Sequence, residues 1–145
     1  NKIFKEKMTV LDLQTIRYIN LLDNTAKVKT RKCFVYNNAI IFAVTGPMIL
    51  KAIGPNARNI RFIQEKLGKR IRIIKEASGV EDAERFVKDI VFPVNFKCLE
   101  IKDNSFVLTA GGIQSKAALI GRNKRRFDEL RQVMKDTFNM DLKIV

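Results

Sequence analysis

One stretch of eight residues occurs twice in this chain, and it constrains the fold more than any other feature. Ile53-Gly54-Pro55-Asn56-Ala57-Arg58-Asn59-Ile60 and Ile120-Gly121-Arg122-Asn123-Lys124-Arg125-Arg126-Phe127 align without gaps at an offset of 67 residues. Ile, Gly, Asn and Arg fall at identical places. Past the match, Ile60, Ile63 and Leu67 answer to Phe127, Leu130 and Met134, the i, i+3, i+7 spacing of one helix face in both copies. Each copy ends in an alternating, strand-like run, Arg70 to Ile74 and Asp141 to Val145. Self-similarity at this period implies one small fold built twice. The expected domains are 1–75 and 76–145.

The same order of elements is legible in each copy. A helix opens near Thr9, a suitable N-cap with Asp12 three residues on, and Val10, Leu13, Ile16 and Tyr18 to Leu22 give it an apolar side. Strands are expected over 26–36 and 39–45 about an Asn37-Asn38 turn, because Asn tolerates positive φ. Gly46 and Pro47 start a short helix to Ile53, the Gly54 turn follows, and the helix Arg58 to Leu67 ends at Gly68. In the second copy Ser78 and Glu81 make a capping-box pattern, and Pro93 stops the helix that follows. Strands are expected over 94–102 and 105–109 about Asp103-Asn104, then a helix Ile113 to Ile120, the Gly121 turn, a long basic helix and a last strand. Both copies read α-β-β-α-turn-α-β, an α+β, two-layer fold with helices packed on a three-stranded sheet.

Charge and composition narrow the function. The net charge is +13, and it is uneven: 1–75 hold 16 Lys and Arg against four Asp and Glu, whereas 76–145 hold 12 against 11. A surplus of this size suits a polyanion partner. There is no histidine, and the two cysteines, Cys33 and Cys98, stand 65 residues apart in apolar stretches. Neither a zinc site nor a nucleophile–histidine pair is expected, and no metal or cofactor. The position that a Walker A loop ending at Gly68-Lys69 would need as glycine is Ile63, and the carboxylates Glu81, Asp82 and Glu84 read as helix-start charge. A binding protein is therefore expected, not an enzyme. No apolar run is long enough to span a membrane, for which about 20 residues are needed, and 1–10 carry no signal pattern, so a cytoplasmic monomer is expected.

The repeated turn itself suits phosphate. It lies at the start of a helix, where backbone N–H groups lack intrahelical partners and the dipole adds about half a positive charge. Arg58 and Arg61 in the first copy, and Arg122, Lys124, Arg125 and Arg126 in the second, surround those donors with cations. The candidate site is Gly54, Pro55, Asn56, Ala57, Arg58 and Arg61, with Gly121, Arg122, Asn123, Lys124, Arg125 and Arg126. An aromatic base-stacking platform fits less well, since there is no Trp, only two Tyr, and no aromatic RNA-recognition run. A helix-turn-helix that reads duplex DNA with 122–131 conflicts with the repeat and its flanking strands.

An Ile-Gly-x-x-x-Arg pattern between two short helices, in this element order, resembles the prokaryotic-type (type II) KH fold, whose G-x-x-G loop clamps about four nucleotides of single-stranded RNA. The tandem copies, with 82–93 reading Asp-Ala-Glu-Arg-Phe-Val-Lys-Asp-Ile-Val-Phe-Pro and Ala118-Leu119-Ile120-Gly121 entering the loop, resemble the KH pair of the NusA family over most of the chain, in its archaeal, KH-only form. The resemblance implies a base-binding groove along Leu50, Ile53, Ile60 and Ile73, and along Ala117, Ile120, Phe127 and Ile144. On the residues alone, most of these eight read as core. The resemblance also implies a nascent-RNA and RNA polymerase partner, and a role in pausing, termination or antitermination. A scaffold that docks on polymerase or ribosome with little RNA affinity is the alternative. Two departures stand out. Ala57 and Lys124 occupy the last loop position, where the family has Gly, and Pro55 removes one N–H from the first loop.

Overall fold

The computed structural model describes residues 10–145. The chain parts into two compact units between Glu76 and Ala77. In the first, helix α1 (Val10–Ala26) precedes a hairpin of β1 (Lys32–Tyr36) and β2 (Ala39–Val44). A 3-10 turn at Gly46–Met48 runs into α2 (Ile49–Ile53), a tight turn at Pro55–Ala57 carries the repeated loop, and α3 (Arg58–Leu67) leads to β3 (Arg70–Lys75). The second unit has α4 (Ala83–Val91), β4 (Cys98–Lys102), β5 (Ser105–Thr109), α5 (Ile113–Ile120), the loop turn Arg122–Lys124, α6 (Arg125–Phe138) and β6 (Asp141–Ile144). This is the α+β fold expected, two tandem KH-type domains, each with helices packed on a three-stranded mixed sheet.

Both sheets share one topology. β1 runs antiparallel to β2, Tyr36 opposite Ala39, and β2 runs parallel to β3, Ala39 opposite Arg70. β4, β5 and β6 repeat this, Lys102 opposite Ser105 and Ser105 opposite Asp141. The hairpin turns are the asparagine turns read from sequence. Asn37 and Asn38 have φ of 49° and 62°, and Asp103 and Asn104 have 50° and 60°, the left-handed pair that matches strand twist. A parallel return needs a crossover. That crossover is α2–loop–α3 or α5–loop–α6, and it sets the loop at one end of the sheet.

In the first unit, Ile40, Phe42 and Val44 of β2 pack with Tyr18, Leu22 and Ala26 of α1, Ala52 of α2 and Ile63 of α3. In the second, Phe86, Phe106, Leu119, Leu130, Met134 and Leu142 are fully or almost fully buried. There the Phe138 ring stands edge-on to Phe86 and Phe106, centroids 6.0 and 5.3 Å away. The copies differ in one length. α6 has 14 residues against 10 in α3, and β6 starts at Asp141, four residues beyond where the 67-residue offset from Arg70 would put it. Four residues are about one helical turn, so α6 keeps its apolar face and its exit direction.

Several expectations need correction. The N-cap expected at Thr9 lies outside the described residues. Tyr18 and Leu22 are buried as expected and Ala26 extends that face, but Leu13 and Ile16 do not serve the core; they are 50% and 41% exposed. α1 continues to Ala26, where the sequence suggested a strand, and is closed by Lys27 in the left-handed region at φ 58°. The β1 strand therefore starts only at Lys32; Thr30 bridges the gap, its hydroxyl donating to the Ala43 carbonyl and accepting from the Lys32 N–H. Ser78 bonds Asp82 and not Glu81: its N–H and its hydroxyl both donate to Asp82 Oδ2, at 3.0 and 2.6 Å. β4 begins at Cys98, four residues after the expected start.

Candidate nucleic-acid interface

The two loops share one backbone. Gly54 and Gly121 have φ/ψ of 80°/165° and 75°/175°, a region essentially reserved for glycine. Asn56 and Asn123 follow at 54°/32° and 56°/29°. Ala57 and Lys124 close the loops at 59°/28° and 61°/20°. The last position is therefore left-handed in both loops, although neither residue is the glycine or asparagine that takes this conformation at low cost. A matching pair of such residues in both copies is the kind of outlier that accompanies a binding site.

The turn uses some of its own donors. The Ala57 and Lys124 N–H groups donate to the Gly54 and Gly121 carbonyls at 3.1 and 3.2 Å. The Arg58 and Arg125 N–H groups donate to the Pro55 and Arg122 carbonyls. The loops thus do not present all four of their helix-start donors to a ligand, and Pro55 leaves the first loop with one fewer than the second.

A side chain ties each loop down from behind. Asn59 Nδ2 donates to the Lys51 carbonyl at 3.0 Å, and Arg126 Nη1 donates to the Ala118 carbonyl at 3.2 Å. Both donors and both acceptors are related by the 67-residue repeat, although Asn and Arg are different chemistry. The tie passes directly under the glycine. A Cβ on Gly54 would lie 2.8 Å from Asn59 Nδ2, and one on Gly121 would lie 2.8 Å from Arg126 Cγ. Glycine is therefore required by close approach as well as by φ. Arg126, expected as a mobile cation, is half-buried against α5. The sequence offered no signal for this tie, since only the position recurs, not the residue.

The remaining cations stand where the sequence put them. Arg58, Arg61, Arg122, Lys124 and Arg125 are exposed, as are Asn56, Asn123 and Pro55, while Ala57 is half-buried. No Asp or Glu occurs within 54–61 or 121–126. The eight groove positions are not plain core: Leu50 is 81% exposed, Ala117 is exposed, and the other six are half-buried. Ile60 and Ile73 pack against the core and still keep an open surface. Beside Phe127, Arg131 lies 6.0 Å from the ring centroid and grips Asp141 with two hydrogen bonds, the second at 3.1 Å. That grip, helped by the Leu142 N–H, holds the Asp141 carboxyl below the usual carboxylate range.

No family model matches the chain. The "Probable transcription termination protein NusA" of Halococcus morrhuae is 23% identical over 128 residues, which cover 87% of this chain and 90% of that protein. The crystal structure of APE1850 superposes with a TM-score of 0.63 at 28% identity, covering 92% of this chain and 99% of that one. With the paired loops and the repeated topology, these two likenesses make the chain similar to NusA-type proteins, built here as two tandem KH-type domains.

Proposed function

We propose that this protein binds single-stranded RNA through both glycine loops and acts on the nascent transcript beside RNA polymerase, as a NusA-like termination or antitermination factor of the cytoplasm. Each module, 1–75 and 76–145, supplies one clamp. Exposed Arg58, Arg61, Arg122, Lys124 and Arg125 meet phosphates, while Gly54, Pro55, Asn56, Ala57, Gly121, Asn123 and the tied Arg126 shape the loops. Bases lie along the half-open apolar positions from Leu50 to Ile73 and from Ala117 to Ile144. The observation that carries this reading is the identical, strained backbone of the two loops under a cationic rim.

Titration of labelled single-stranded RNA across salt concentrations tests it. About four phosphates neutralised by the two loops give a log–log slope near −3, at about −0.7 per phosphate. A flat slope, or no binding at low salt, contradicts the proposal and favours a docking scaffold.

A further inference from the structure

On the side of α3 next to α1, the first unit has a cleft of about 620 Å³. Asn24 and Thr25 of α1 line one wall, Arg58, Phe62 and Lys66 of α3 line the other, and Pro55 of the loop stands at its end. The volume is in the range of small-molecule sites, roughly 300–1,000 Å³. Among the described residues no carboxylate lines it. Phe62 leaves 50% of its surface open, and the Lys66 ammonium sits 5.8 Å from its ring centroid. Spacing explains the stripe: Arg58, Phe62 and Lys66 are four residues apart and exposed, to one side of buried Ile63 on α3.

The repeat supplies an internal comparison. At the positions of Phe62 and Lys66 the second copy has Glu129 and Val133, and Val133 is buried at 5% exposure. A carboxylate there repels a phosphate backbone, and a buried valine offers no cation. At these positions the aromatic–cation pair thus occurs only in the first copy; the pair on α6, Phe127 with Arg131, stands elsewhere on the helix, at the positions of Ile60 and Gln64. The first copy's pair stands beside the loop that has lost a donor to proline.

We infer that this cleft is a nucleobase subsite. A base of the single-stranded RNA stacks on Phe62, Arg58 and Lys66 hold the phosphates on either side, and Asn24 and Thr25 offer polar groups to the base edge. The strand reaches the cleft from the Gly54 loop, since Pro55 and Arg58 belong to both. The inference rests on the RNA-binding reading above. The subsite lies beyond the groove on the α2 side, and it gives the first module grip that does not depend on backbone donors.

The test compares the 145-residue chain with Phe62→Ala and Phe62→Tyr on single-stranded RNA, and on the same RNA made abasic at one position at a time. Stacking on one aromatic side chain corresponds to about tenfold in affinity. Phe62→Ala is expected to lose about tenfold, and Phe62→Tyr to bind as the parent does. One abasic position is expected to cost the parent the same tenfold and Phe62→Ala nothing further. Unchanged affinity in Phe62→Ala overturns the subsite, and so does full, independent sensitivity of Phe62→Ala to every abasic position. Asn123→Asp separates the two claims. If it weakens binding and Phe62→Ala does not, the subsite alone falls. If the parent chain binds no RNA, the subsite falls with the broader reading.

Discussion

Ala57 and Lys124 hold a conformation that costs an ordinary L-residue about 1–2 kcal/mol, and they hold it in both copies. Replacing either by glycine relieves that strain and adds chain entropy to the unfolded state, which offsets part of the gain. Ala57→Gly and Lys124→Gly are therefore expected to leave stability unchanged or raise it by up to about 1 kcal/mol in urea unfolding. In a helix interior the same change costs about that amount. Gly121→Ala acts in the opposite sense. Its φ of 75° and the 2.8 Å approach of Arg126 Cγ predict a loss of about 1–3 kcal/mol by the same measurement. The Cys33 thiol is a separate case at this scale. Burial pushes its pKa up to about 12, against an ordinary value near 8.5. A thiol raised in the folded state contributes stability that is intact below the unfolded value and is lost as pH rises from about 8.5 toward 12. Wild type is expected to lose stability more steeply than Cys33→Val over that window, and equal slopes would contradict the burial argument.

At the scale of elements, one helix position ties the last strand to the crossover helix in both units, by two different devices. In the first, Gln64 Oε1 accepts the Ile71 N–H at 3.1 Å. In the second, the repeat places Arg131 at that position, and it holds Asp141, which in turn accepts the Leu142 N–H at 2.8 Å. Gln64→Met removes the acceptor and leaves the Ile71 N–H short of a partner, an expected loss of about 1 kcal/mol in urea unfolding. These ties were not legible in the sequence, because the position recurs while the residues change from Gln to Arg. What was legible had a local physical cause. The asparagine turns demanded positive φ, Gly68 capped α3, and the i, i+3, i+7 faces of α3 and α6 carried buried Ile63 and Leu130. The start of β1 and the Leu13 and Ile16 end of α1's apolar side were misread, while Tyr18 and Leu22 are buried as read. The Thr30 hydroxyl bridge and the left-handed Lys27 are set by tertiary contacts and leave no periodic trace. The Asp82 cap was missed because Ser78 reaches four residues on, not three.

For the whole molecule, duplication explains why so much followed from one motif: a single loop architecture, written twice, fixes the order of every element around it. It also shows where the copies have diverged. The first carries most of the net charge, an aromatic cleft and a proline in its loop. The second carries the denser loop cations and a longer α6. The candidate loop residues were legible as positions, but their contacts were not, since only the structure shows the Arg126 side chain tied to the Ala118 carbonyl.

The central claim is that both loops clamp phosphate. Asn56 and Asn123 test it most directly: they are exposed, they sit in the left-handed region that Asp also tolerates, and the change to Asp alters charge with almost no change in shape. The measurement is the single-stranded RNA affinity of the wild-type chain against the Asn56→Asp/Asn123→Asp double variant at one fixed, low salt concentration. The account predicts a loss of tenfold or more with thermal unfolding unchanged, since each new carboxylate stands where a phosphate oxygen is to sit, at about 1 kcal/mol or more of repulsion per loop. Equal affinity of the two proteins would contradict it.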